Sequence, residues 1–133
     1  MAQAGAPRAL SRLSTARILW VDDRPENNIH ERRAMEAFGI TFTLSTSTED
    51  ALEKTRLARY DAIISDMGRP PDPRAGYTLL DALRQRNDRT PFVIYAGSNS
   101  PEHKAEARSH GALGSTNRAQ ELIQLVLSAV LGD

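Results

Sequence analysis

Arg17-Ile18-Leu19-Trp20-Val21-Asp22-Asp23 is an apolar run that stops abruptly at two carboxylates. A stretch apolar at successive rather than alternate positions suits a strand buried on both faces of a sheet. The same form returns at Asp61-Ala62-Ile63-Ile64-Ser65-Asp66, again closed by an aspartate. Phe92-Val93-Ile94-Tyr95 gives another buried run, Ile40 to Ser45 alternates as a strand, and Ala112-Leu113 opens a short, weak fifth one.

Helical stretches separate these runs. Pro25 suits a first helical position and Gly39 the residue beyond a helix end, which predicts a helix from Pro25 to Phe38. Thr46 with Glu49 and Ser47 with Asp50 are overlapping capping registers for a helix reaching Ala58. Tyr77 to Arg86 carries Leu79, Leu80 and Leu83 at helical spacing, and Pro101 opens a polar helix that ends before Gly111. Asn117 and Gln120 form a capping pair ahead of an apolar stripe of Leu122, Leu125, Val126, Ala129 and Val130. Pro70, Pro71 and Pro73 mark a loop, because proline can neither continue a helix nor sit in a central strand. Strict alternation of buried strands and helices predicts an α/β fold, a doubly wound parallel sheet covered on both faces. Ligands of such sheets bind beyond the carboxyl ends of the strands, where the strand order reverses.

Composition narrows the functional classes. The 133 residues suffice for one domain, 40% are apolar, and the 17 basic and 17 acidic side chains cancel. A chain without basic excess is not expected to bind nucleic acid directly. No apolar run approaches the roughly 20 residues of a bilayer span, so no membrane partner is expected. The absence of cysteine removes disulfides and thiolate metal sites and fits a reducing, cytoplasmic location. Residues 1–16, rich in Ala, Arg and Ser without an acidic residue, read as a disordered N-terminal tail, and 17–133 as the folded domain. The faint organelle-targeting flavour of that segment is the lesser reading.

If the strand order is 2-1-3-4-5, the runs ending in Asp22-Asp23 and in Asp66 are neighbours and three carboxylates meet. Like charges crowded together repel, and a divalent cation holds them ionised. Hard oxygen donors in an incomplete cage suit Mg²⁺, which also takes phosphate oxygens. An aspartate there can attack a phosphoryl group while the metal neutralises developing charge. The plainer alternative is that strand-end aspartates only cap the helices that follow. The doubled site favours the cation.

These landmarks, with Met67, Thr90-Pro91 before the fourth strand, Gly111-Ala112, and Pro70 four residues after Asp66, resemble response-regulator receiver domains over about Arg17 to Leu131. The resemblance implies a flavodoxin-like (βα)5 sheet of order 2-1-3-4-5. It makes Asp66 the phosphoacceptor and Asp22, Asp23, Asp66 and the Gly68 backbone carbonyl the ligands of Mg²⁺. It implies a sensor histidine kinase or phosphotransfer protein as donor, and a downstream protein partner. Such a domain is not an enzyme beyond Mg²⁺-dependent self-phosphorylation and dephosphorylation.

The chain departs from that family where the phosphoryl group is read. Ala96 stands where a hydroxyl is usual, and losing a hydrogen bond to a charged group is worth about 1.5–3 kcal/mol. Arg118 matches the family's lysine but is followed by Ala119 instead of proline, so a trans bond is expected. Ser115 replaces the aromatic switch residue. The glycine usual eight residues beyond the acceptor matches Gly76, ten beyond, and the longer loop carries Arg69 and Arg74. Ser98, Arg69 and Arg74 are the auxiliary groups that could contact a phosphoryl group, although arginines on a proline-rich loop are more often solvated. His103 and His110 are expected to be solvated, and the Arg32-Arg33 pair to be an exposed helix face.

The leading expectation is therefore a phosphoacceptor receiver with an atypical switch. The alternative is a non-phosphorylated pseudo-receiver acting as an interaction module. A hydrolase of the haloacid-dehalogenase kind ranks below both, because it needs a second acid where Arg24 stands. No DNA-binding or catalytic output segment fits in the remaining length, so the domain is expected to act through a partner or to be a fragment of a longer protein.

Overall fold

The computed structural model describes residues 2–132. Five strands run β1 (Arg17–Val21), β2 (Thr41–Ser45), β3 (Ala62–Ser65), β4 (Phe92–Tyr95) and β5 (Gly114–Thr116). They form one parallel sheet in the order β2-β1-β3-β4-β5, as the sequence led us to expect. The helices are α1 (Ala2–Ser14), α2 (Ile29–Glu36), α3 (Thr48–Leu57), α4 (Ala75–Gln85), α5 (Pro101–Ser109) and α6 (Ala119–Leu131).

Alternating side chains of the strands feed two cores. Ile18, Trp20, Ile64 and Val93 face α2 and α6, burying Met35, Leu122 and Val126 with them. Leu19, Val21, Ile63 and Ile94 face the other way, against Leu79, Leu80 and Leu83 of α4 and Ala107 of α5. This two-sided burial is why β1 and β3 lack a polar face, and side chains of this kind contribute about 1.5–3 kcal/mol each when fully buried.

Several elements differ from the sequence reading. Residues 2–14 are helical rather than a disordered tail: Leu13 of α1 is buried in the first core. Arg12 donates to the terminal carbonyls of α6 at Leu131 O (3.0 Å) and Val130 O. A cation placed on unpaired C-terminal carbonyls is favourable on both hydrogen-bonding and dipole grounds. Pro25 opens a 3-10 turn, Pro25–Asn28, before α2 begins. The fifth strand is residues 114–116, not Ala112-Leu113, because only there does the register pair Val93 with Gly114 and Tyr95 with Thr116. Asn117 does not cap α6. Arg118 holds the N-cap position, and its N–H donates to Thr116 Oγ1 at 3.0 Å, while that hydroxyl donates to Glu121 Oε1 at 2.7 Å. Of the two registers offered for α3, Ser47 is used, accepting from the Asp50 N–H at 3.0 Å.

Candidate metal and phosphoacceptor site

The register places Val21 beside Ser65, so the residues that follow each strand emerge together. The Asp66 N–H donates to Val21 O at 3.0 Å and the Asp22 N–H to Ser45 O at 2.9 Å, extending the ladder one step and fixing both backbones at the carboxyl edge. Asp22, Asp23 and Asp66 each then offer one carboxylate oxygen, and these oxygens all lie within 4.8 Å of one another. Three hard oxygen donors at that spacing fit the donor set and the incomplete cage that Mg²⁺ takes from a protein.

Each carboxylate has its own surroundings. Asp22 is held from both sides: Oδ1 accepts from the Arg24 N–H at 2.8 Å and Oδ2 from Asn28 Nδ2 at 2.9 Å. Asn28 is buried in the 3-10 turn, and sequence reasoning missed it because only the turn brings it back over Asp22. Asp23 is exposed. Burial pushes the Asp66 carboxyl up to about 6, with the charges of Asp22 and Asp23 adding to the rise and Arg69 opposing it.

Arg69 is the unexpected member. The loop reading allowed it a place near a phosphoryl group but favoured solvent, and its side chain is only 5% exposed. Nη1 pairs with Asp66 Oδ1 and donates to Ser65 Oγ at 3.1 Å. Nη2 donates to Thr48 Oγ1 at 2.7 Å and to Ala75 O at 3.3 Å. The loop itself presents it: Arg69 and Asp72 exchange backbone hydrogen bonds of 2.9 and 2.8 Å around the cis Pro70-Pro71 peptide. Gly76 closes the loop against the site. A Cβ there would lie 2.6 Å from Asp66 O, so no other residue fits without moving backbone.

The remaining auxiliary groups are engaged elsewhere. Arg74 pairs with Glu106 and lies over the Tyr77 ring, 4.8 Å from its centroid. Ser98 Oγ contacts His103 Nδ1 and accepts from the Ser100 N–H at 3.2 Å. Arg118 is exposed at the start of α6. Pro70-Pro71 is the one cis peptide among the described residues, so the bond after Arg118 is trans as expected. Lys104, which no motif singles out, donates to Ser115 O and Glu121 Oε2, both at 2.9 Å. His103 is exposed as expected, whereas His110 is half-buried: it contacts Asp81 at 2.8 Å and stacks on Tyr77 at 4.0 Å. Arg33 is exposed as expected, but Arg32 is half-buried and donates to Pro25 O at 2.7 Å. The small side chains Ala96 and Ser115 border a hollow of about 330 Å³ beside Met67 and Tyr77.

A doubly wound parallel sheet carrying an acidic cluster at its switch point defines a class of α/β domains with an acidic carboxyl edge. A family model described as the response regulator receiver domain matches residues 18–127, and the chain belongs to that family. No curated protein matches. The receiver domain of Francisella response regulator 1452 is 27% identical, with TM-score 0.79, covering 89% of this chain and 98% of that one. The chemotaxis response regulator CheY4 of Vibrio cholerae is likewise 27% identical, with TM-score 0.71 over 84% and 98% of the two chains. A receiver domain of a histidine kinase from Syntrophus aciditrophicus shares the fold at 24% identity and TM-score 0.74, over 89% and 92%. The matched span begins after α1, which is an addition to the family's region.

Proposed function

We propose that this domain accepts a phosphoryl group on Asp66 from a histidine kinase or phosphotransfer protein and signals by binding a downstream protein. The observation that supports this most directly is the convergence of three carboxylates within 4.8 Å at the ends of β1 and β3, in a chain of the receiver family. Asp22, Asp23 and Asp66, with the Gly68 carbonyl, would hold Mg²⁺. When bound, that ion neutralises the crowded carboxylates and the charge of the incoming phosphoryl oxygens.

In the transfer, an Asp66 carboxylate oxygen attacks the phosphorus of a phosphoimidazole. The P–O bond forms as the P–N bond breaks, and the electron pair returns to the imidazole nitrogen, which takes a proton from solvent. Asp22, fixed by Arg24 and Asn28, orients the cluster without needing to reorganise. Arg69 supplies beside Asp66 the positive charge that the exposed Arg118 is poorly placed to give.

Intact-mass measurement after incubation with Mg²⁺ and acetyl phosphate tests the reading. Wild type should gain one phosphoryl group, and Asp66→Asn should gain none. No adduct on wild type would instead leave a non-phosphorylated interaction module.

A further inference from the structure

We infer that Arg69 relays phosphorylation to the first turn of α3 through Thr48, so that the signal emerges at the 68–74 loop and the α3 N-terminus rather than along β4 and β5. This rests on Asp66 being the phosphoacceptor. The geometry that carries it is a single guanidinium spanning three elements. One nitrogen holds the acceptor Asp66 and Ser65 of the β3 end. The other holds Thr48 at the start of α3 and the Ala75 carbonyl at the start of α4.

A guanidinium so nearly buried must keep its charge paired, because an unpaired buried ion is strongly unfavourable. Phosphorylation moves the negative charge outward from the Asp66 carboxylate onto phosphoryl oxygens. Arg69 follows that charge, since its planar fork suits a phosphate as well as a carboxylate. It cannot do so while keeping both Thr48 Oγ1 and Ala75 O. The contact that lapses or shifts belongs to α3 or α4, and the Arg69–Asp72 turn moves with it.

The opposite edge has no comparable handle. Ala96 offers a methyl group, and Ser98 is held by His103 and Ser100. Lys104 is committed to Ser115 O and Glu121, and Arg74 to Glu106. Among the described residues, Arg69 is the cation that pairs with Asp66 itself and is also bonded to other elements.

Nitrogen-15 amide spectra of the protein with Mg²⁺, before and after adding beryllofluoride, test the relay, with the fluorine spectrum reporting whether the adduct forms. The expected result is that amides of residues 46–51 and 67–76 shift most and those of 92–98 and 114–118 shift least. Thr48→Val should retain the bound fluoride signal and lose the α3 shifts. Arg69→Lys, which keeps a charge without the fork, should likewise lose the α3 shifts in whatever fraction binds fluoride. A bound fluoride signal with shifts concentrated in β4 and β5, or α3 shifts that survive in Thr48→Val, would overturn the relay and leave the phosphoacceptor reading intact. Absence of bound fluoride from wild type would remove the phosphoacceptor reading and the relay together.

Discussion

At the scale of single residues, the chemistry turns on how Asp66 is kept partly desolvated and still able to ionise. Its carboxyl is raised from 3.8 to about 6 chiefly by burial, and Arg69 limits the rise. A raised carboxyl favours the protonated form in the folded state. In metal-free protein the ionised carboxylate therefore weakens the fold above about pH 6, and that penalty is relieved as pH falls towards the unfolded value. Two units correspond to about 3 kcal/mol, reduced to roughly 1–2 kcal/mol by solvent screening at a partly open site. In chelator, urea unfolding should accordingly register a component of stability that is lost as pH rises from about 4 to about 6, and this component should be absent from Asp66→Asn. Because a metal ligand must be deprotonated, Mg²⁺ affinity measured by calorimetry should fall roughly tenfold per pH unit below about 6. The aspartates were legible from sequence because each follows an apolar strand. Arg69 was not: a proline-rich loop can present an arginine to solvent or to the fold, and the Arg69–Asp72 turn decides which.

At the scale of elements, strands were easier to read than their boundaries. Buried runs such as Ala62–Ser65 have one reasonable conformation, whereas the fifth strand is three residues long and is defined by its neighbour's hydrogen bonds. Caps behaved similarly. Ser47 and Asn117 both sit in capping patterns, yet only Ser47 accepts a first-turn N–H, because Thr116 already holds the Arg118 N–H and Glu121. Gly76 links the first turn of α4 to Asp66. Gly76→Ala would force its Cβ against Asp66 O, and overpacking against backbone should lower stability by about 1–3 kcal/mol. Denaturant midpoints check the loss. A spectrum of that variant showing Asp66 and its neighbours unmoved would contradict the close approach.

At the scale of the molecule, α1 lies at the opposite end of β1 from the carboxylates. Gly39, with φ of +96°, allows this packing: a Cβ there would lie 2.7 Å from Ser14 Cα. Leu13→Ala should therefore destabilise the fold by about 2 kcal/mol or more, as buried leucine truncations do, while leaving Mg²⁺ affinity unchanged. Parallel measurements of the unfolding midpoint and of calorimetric Mg²⁺ binding check both halves. Among the described residues no helix is long and apolar enough to cross a membrane. Residue order alone determined the β-α alternation, the two-faced burial of the strands and the acidic residues at their ends, because periodicity and strand-end position are local properties. Tertiary structure alone decided that α1 folds onto α6, that Asn28 returns to Asp22, and that Arg69 joins Asp66 to Thr48. Those contacts lie between residues far apart in the chain or turned by loop geometry, and such meetings depend on how helices and strands are packed together.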